Sequence, residues 1–147
     1  MSAPLDAKGI LYVQKIVNAL LYYCRVVDNK LMAALSAIGS QQAAATVDTS
    51  AAVDELLGYF ATYPHNGITY RASDIILASH SYASYLKGRL SRIRAGSHIF
   101  LSENYPTPTF KGTVLTIATI IKLVMYSAAE SELGDLLITA KKMIHLR

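Results

Sequence analysis

The sequence predicts an α+β protein, helical over residues 1–66 and strand-rich with a closing helix over residues 67–147. Three observations lead there. Apolar residues recur at helical spacing through the first part, from Val13 to Phe60. At Gly67 the texture changes into short apolar and β-branched runs. Ser127, followed three residues later by Glu130, then opens a last helical segment.

Val13, Ile16, Val17, Leu20, Leu21 and Cys24 place a first helix. Asp28 caps a second, with Leu31, Leu35 and Ile38 on one face. The polar stretch from Ser40 to Ser50 interrupts the pattern. A third helix carries Val53, Leu56, Leu57 and Phe60, with Ser50 as its cap, and ends at Tyr63-Pro64-His65-Asn66-Gly67. Ile68 and Tyr70 alternate with polar neighbours, as in a strand. Ile75 to Ala78 is a continuous apolar run, as in a central strand. Residues 86–96 read as a basic turn, and His98 to Leu101 as a further strand. After Pro106-Thr107-Pro108, Gly112 leads into a long run from Val114 to Ile121. The closing helix carries Leu133, Leu136, Leu137, Ala140 and Ile144 on one face.

Charged residues are only 16% of the 147, and apolar residues are 52%. That composition argues against a disordered chain and for one with much buried or partner-covered surface. The net charge of +4 permits nucleic acid as a partner without demanding it. Cys24 is the single cysteine, so no internal disulfide forms, which suits an intracellular location. Its neighbours make it a core residue. The N-terminus lacks a signal-peptide pattern. The apolar run from Thr113 to Met125 carries Lys122 and is shorter than the ~18 residues of a membrane span, so no membrane partner is expected.

Few residues suggest chemistry. Glu132 falls on the first turn of the closing helix, where a carboxylate serves as metal ligand or acid/base group. Lys87, Arg89, Arg92 and Arg94 cluster without an acidic residue among them. Such a cluster is most often a solvated turn; its alternative role is contact with phosphates. His65, His80, His98 and His145 fall in different elements, as structural or solvent-facing residues do. Ser79, Ser81 and Ser84 near His80 lack a carboxylate placed to orient that histidine as in a hydrolase. The tyrosines, Tyr22, Tyr23, Tyr82 and Tyr85 among them, fit packing better than base stacking.

Several words together resemble the RNase H region of copia-type retrotransposon polyproteins and the polymerase connection before it. They are Leu56-Leu57-Gly58-Tyr59-Phe60-Ala61-Thr62-Tyr63-Pro64, Ser79-His80-Ser81-Tyr82-Ala83-Ser84-Tyr85-Leu86, Ser91-Arg92-Ile93-Arg94-Ala95-Gly96, and Ser127-Ala128-Ala129-Glu130-Ser131-Glu132-Leu133. The last is the most specific, since it joins a cap, a carboxylate and a helix start in fixed order. The resemblance implies a helical connection over 1–66. It implies an incomplete RNase H-like fold over 67–147, with an antiparallel three-stranded sheet and a C-terminal helix.

The family's nuclease uses four carboxylates to hold two divalent ions ~4 Å apart. Carried over by position, Glu132 matches the helix glutamate as a vestigial metal ligand. Tyr82 stands where the family has its first-strand aspartate, and a phenol binds Mg²⁺ poorly. The family's later aspartates fall beyond Arg147. Asp74 is no substitute, since eight strand residues put it roughly 26 Å away. No intact metal site is therefore expected, and Mg²⁺ enters only under a nuclease reading. The resemblance implies a degenerate, non-catalytic protein with a nucleic-acid-binding or scaffold role, its weak, salt-sensitive contacts made by Lys87, Arg89, Arg92 and Arg94. The alternative is a two-metal ribonuclease acting on RNA/DNA hybrids, completed by another chain or by further sequence. Residues 74–82 would form an exposed sheet edge open to self-association.

Overall fold

A computed structural model describes residues 2–85, 92–104 and 106–147. It contains four α-helices and one three-stranded antiparallel sheet, a mixed α/β architecture with a C-terminal helix. Contacts divide the chain into two compact units, Met1–Ile68 and Thr69–Arg147.

The first unit is built from α1 (Ala7–Val26), α2 (Met32–Gly39) and α3 (Val47–Thr62). Asp6 caps α1 by accepting the Gly9 N–H at 2.8 Å. Asp28 caps the 3₁₀ turn that feeds α2, accepting the Lys30 N–H. α3 starts earlier than the sequence pattern places it, because Thr46 and Thr49 cap it reciprocally and Ser50 lies inside the helix. Val13, Val17, Cys24, Leu35, Val53 and Leu56 form the buried aliphatic core. Burial, and secondarily the charge of Asp28, push the Cys24 thiol up to about 11. At the unit's end, Tyr59 donates to Asp28 and Asn66 donates to Tyr59. The Ile68 N–H donates to the Val27 carbonyl.

The second unit holds β1 (Ile76–Ser84), β2 (Arg94–Ser102), β3 (Thr113–Ile120) and α4 (Ala128–Leu146). The sheet order is β1-β2-β3, so β1 is an edge strand. Its register pairs Tyr82 with Gly96 and His80 with His98. A bulge falls between Ile99 and Phe100. Ile75 precedes β1 with φ +60°, an unusual angle for a β-branched residue.

Three expectations are corrected here. Residues 68–70 form no strand. Thr69 and Tyr70 lie beside Gly112 at the start of β3, where Arg71 donates to the Lys111 carbonyl and the Tyr70 hydroxyl to the Thr113 carbonyl. Arg94 to Gly96, read as part of a basic turn, belong to β2, and residues 86–91 of that reading lie outside the described residues. The apolar row of α4 faces outward: Leu133, Leu136, Leu137 and Ile144 are all exposed, while Ser131, Asp135 and Thr139 are fully buried.

Gly112 has φ +120°, and a Cβ there would lie 2.6 Å from a Tyr70 ring carbon and 3.0 Å from the Thr69 carbonyl. Gly112→Ala should therefore destabilise the second unit by about 1–3 kcal/mol. A lowered urea midpoint would show it. An unchanged midpoint would mean that this close approach is not maintained.

Candidate functional site

The candidate site is the junction where the first turns of α4 meet the middle of the sheet. Ser127 opens the helix by accepting the Glu130 N–H at 3.1 Å. The Glu130 carboxylate reaches back past the cap to the Tyr126 N–H at 2.6 Å. The first bond satisfies a free N–H of the helix start, and the second ties the residue before the cap to the first turn. The Tyr85 hydroxyl donates to the Tyr126 carbonyl, which ties the approach to α4 to the end of β1.

This start places Glu132 against the outer edge of β1. Its Oε2 accepts the Ala83 N–H at 3.1 Å, directly beside Tyr82. Tyr82 is 68% exposed, and its partner across the strands is Gly96. One turn further on, Asp135 enters the interior. Its Oδ1 accepts the Ser97 hydroxyl at 2.9 Å. Ser97 has one proton and gives it to Asp135, so the short bond between Ser97 and Thr139 is donated by Thr139. Asp135 Oδ2 is buried without a partner.

Burial is the main force on Asp135 and raises its pKa. The Ser97 hydrogen bond acts the other way, and the Glu132 charge raises it further.

Glu132 therefore meets the β1 backbone at Ala83, while the Tyr82 side chain stands on the other face of the sheet, so the two side chains are not brought together. Asp74 lies elsewhere and accepts the Asn104 N–H. Arg92 is exposed and Arg94 half-buried at the start of β2. Lys87 and Arg89 lie outside the described residues. No group of three or more His, Cys, Asp or Glu among the described residues is placed to hold a metal ion. No described helix is long and apolar enough to cross a membrane.

Sequence reading missed Asp135, Ser97 and Thr139. Ser131, Asp135 and Thr139 do recur at intervals of four, a signal for a polar helix face; nothing in the sequence says that this face turns inward. It also missed the pairing of His80 with His98, which depends on strand register.

No protein-family model, curated protein or solved structure matches this chain.

Because burial raises Asp135, the fold prefers its neutral form. That contribution is complete below the ordinary aspartate range and is lost as pH rises through the folded pKa. Asp135→Asn keeps the shape without the charge. It should stabilise the protein at neutral pH by about 1 kcal/mol and have little effect near pH 3. Denaturant unfolding at both pH values measures the difference. A variant less stable than wild type at neutral pH would mean that the carboxylate is held charged.

Proposed function

We propose that this chain is a retrotransposon-derived, RNase H-like module that binds rather than cuts. The observation that carries this reading is the Glu132–Ala83 hydrogen bond beside Tyr82. The helix carboxylate is spent on a backbone N–H of the first strand, and the phenol at the position of the family's aspartate stands on the opposite face of the sheet. One carboxylate so engaged is a poor holder of two hard cations. Arg92 and Arg94, with Lys87 and Arg89, supply the positive charge for contact with a phosphate backbone. The duplex recognised would be an RNA/DNA hybrid, read through its backbone and not its bases.

The scaffold side of this reading is self-association along β1. Ala83 has its outward N–H taken by Glu132, while the strand toward Ile76 lies at the sheet edge. Beside that end runs an apolar groove of about 570 Å³, lined by Ile76, Leu77, Leu101, Met143 and Ile144. An unpaired apolar edge next to such a groove favours pairing with a second copy.

Two measurements test these claims. A labelled RNA/DNA hybrid should bind with a log–log salt slope of about −3 and remain uncut in Mg²⁺ or Mn²⁺. Metal-dependent cleavage abolished by Glu132→Gln would establish the nuclease instead, and binding that survives charge reversal of Arg92 and Arg94 would exclude the basic segment. In sedimentation at micromolar concentration the protein should run larger than a monomer. A strict monomer with rapid amide exchange along β1 would exclude pairing at this edge.

A further inference from the structure

We propose that His80 and His98 form a two-imidazole site for a divalent transition-metal ion on the sheet face opposite α4. The two residues are direct partners in the β1–β2 register. Direct partners on one face of an antiparallel pair have Cβ atoms ~4.5–5.5 Å apart, a separation from which two imidazoles can converge on one ion.

Both rings are positioned by their neighbours. His80 stacks on buried Phe100, with centroids 4.9 Å apart and planes 29° from parallel. His98 Nδ1 lies 3.2 Å from the Thr116 hydroxyl on β3. With its Nδ1 proton given to that oxygen, His98 keeps the Nε2 lone pair free of the sheet. A hydrogen bond on the far nitrogen is how metal-binding histidines are held in one tautomer and one orientation. Both histidines are exposed, so an ion has access from solvent. The next pair along this face is Tyr82 and Gly96, and the glycine contributes no side chain to crowd the rings.

The donor set selects the metal. Imidazole suits Zn²⁺, Cu²⁺ and Ni²⁺, whereas Mg²⁺ and Ca²⁺ require oxygen ligands. Two protein ligands leave the other positions to water or to a donor from a bound partner. The titratable groups that β1 and β2 present on this face are His80, Tyr82, His98 and Arg94, none of them a carboxylate. A bound ion would cross-link the edge strand to the central one.

The test is titration of Zn²⁺, and separately Cu²⁺, into the untagged full chain, followed by calorimetry and thermal unfolding. The expected result is one ion per chain and a thermal midpoint that rises with metal concentration. His80→Gln and His98→Gln should each abolish both effects, and Thr116→Val should weaken binding about tenfold. Binding should also fall as pH drops below the histidine range, because protons compete for the same lone pairs. Absence of binding, or binding undiminished in the His80→Gln/His98→Gln double variant, overturns the proposal. If a histidine variant fails to fold, imidazole ¹⁵N spectra of the wild-type protein decide. Zn²⁺ must shift His80 and His98 ahead of His65 and His145; any other order overturns it.

Discussion

The second unit depends on the docking of a polar helix face onto its sheet. Asp135, Ser97 and Thr139 are all fully buried, and their hydroxyl-to-carboxylate chain fixes the rotation of α4 about its axis. Rotating the helix would remove acceptors from buried donors, at roughly 1–3 kcal/mol for each group left unpaired. That rotation sets the rest. It brings Glu132 to the Ala83 N–H, turns the leucine row to solvent, and places Ile138 on the small cluster of Ile93, Ala95 and Ile121. The unpartnered Oδ2 of Asp135 offsets part of this gain. The arrangement secures one orientation more than it secures stability.

The two units achieve order by different means. Met1–Ile68 buries a conventional aliphatic core between three helices, reinforced by aromatic contacts such as Tyr23 against Phe60 at 5.0 Å. Thr69–Arg147 interleaves apolar and polar residues in its interior. Ser97 and Ser102 are nearly as buried as Ile99 and Phe100. Hydroxyl groups can sit there because the strands and nearby loops provide partners, as when Ser102 accepts the Thr109 N–H at 2.8 Å.

Much of the fold was legible in the sequence where the signal was local. Ser127 caps the closing helix as its side chain predicts, Asp28 caps the 3₁₀ turn that feeds α2, and the β-branched run after Gly112 is a strand. Where the signal was not local, reading failed. The alternation of Ile68 and Tyr70 suits a strand, but the Ile68 N–H goes to Val27 and the Arg71 N–H to Lys111, so the segment forms no ladder. Ser50 looks like a cap because a single side chain suffices to suggest one, whereas the actual cap is the reciprocal Thr46–Thr49 pair. For α4, periodicity identifies two faces without saying which one meets the sheet. The bond from Ala83 to Glu132, like Asp135 and the His80–His98 pair, was legible only through the fold.

Cys24 has a consequence of a different kind. It is fully buried, its thiol is pushed up to about 11, and it is the chain's single cysteine. A thiol reagent requires an exposed thiolate, so in the folded helical unit the residue is inert. Modification must wait for that unit to open. The rate of alkylation therefore reports openings that expose the interior of Met1–Ile68.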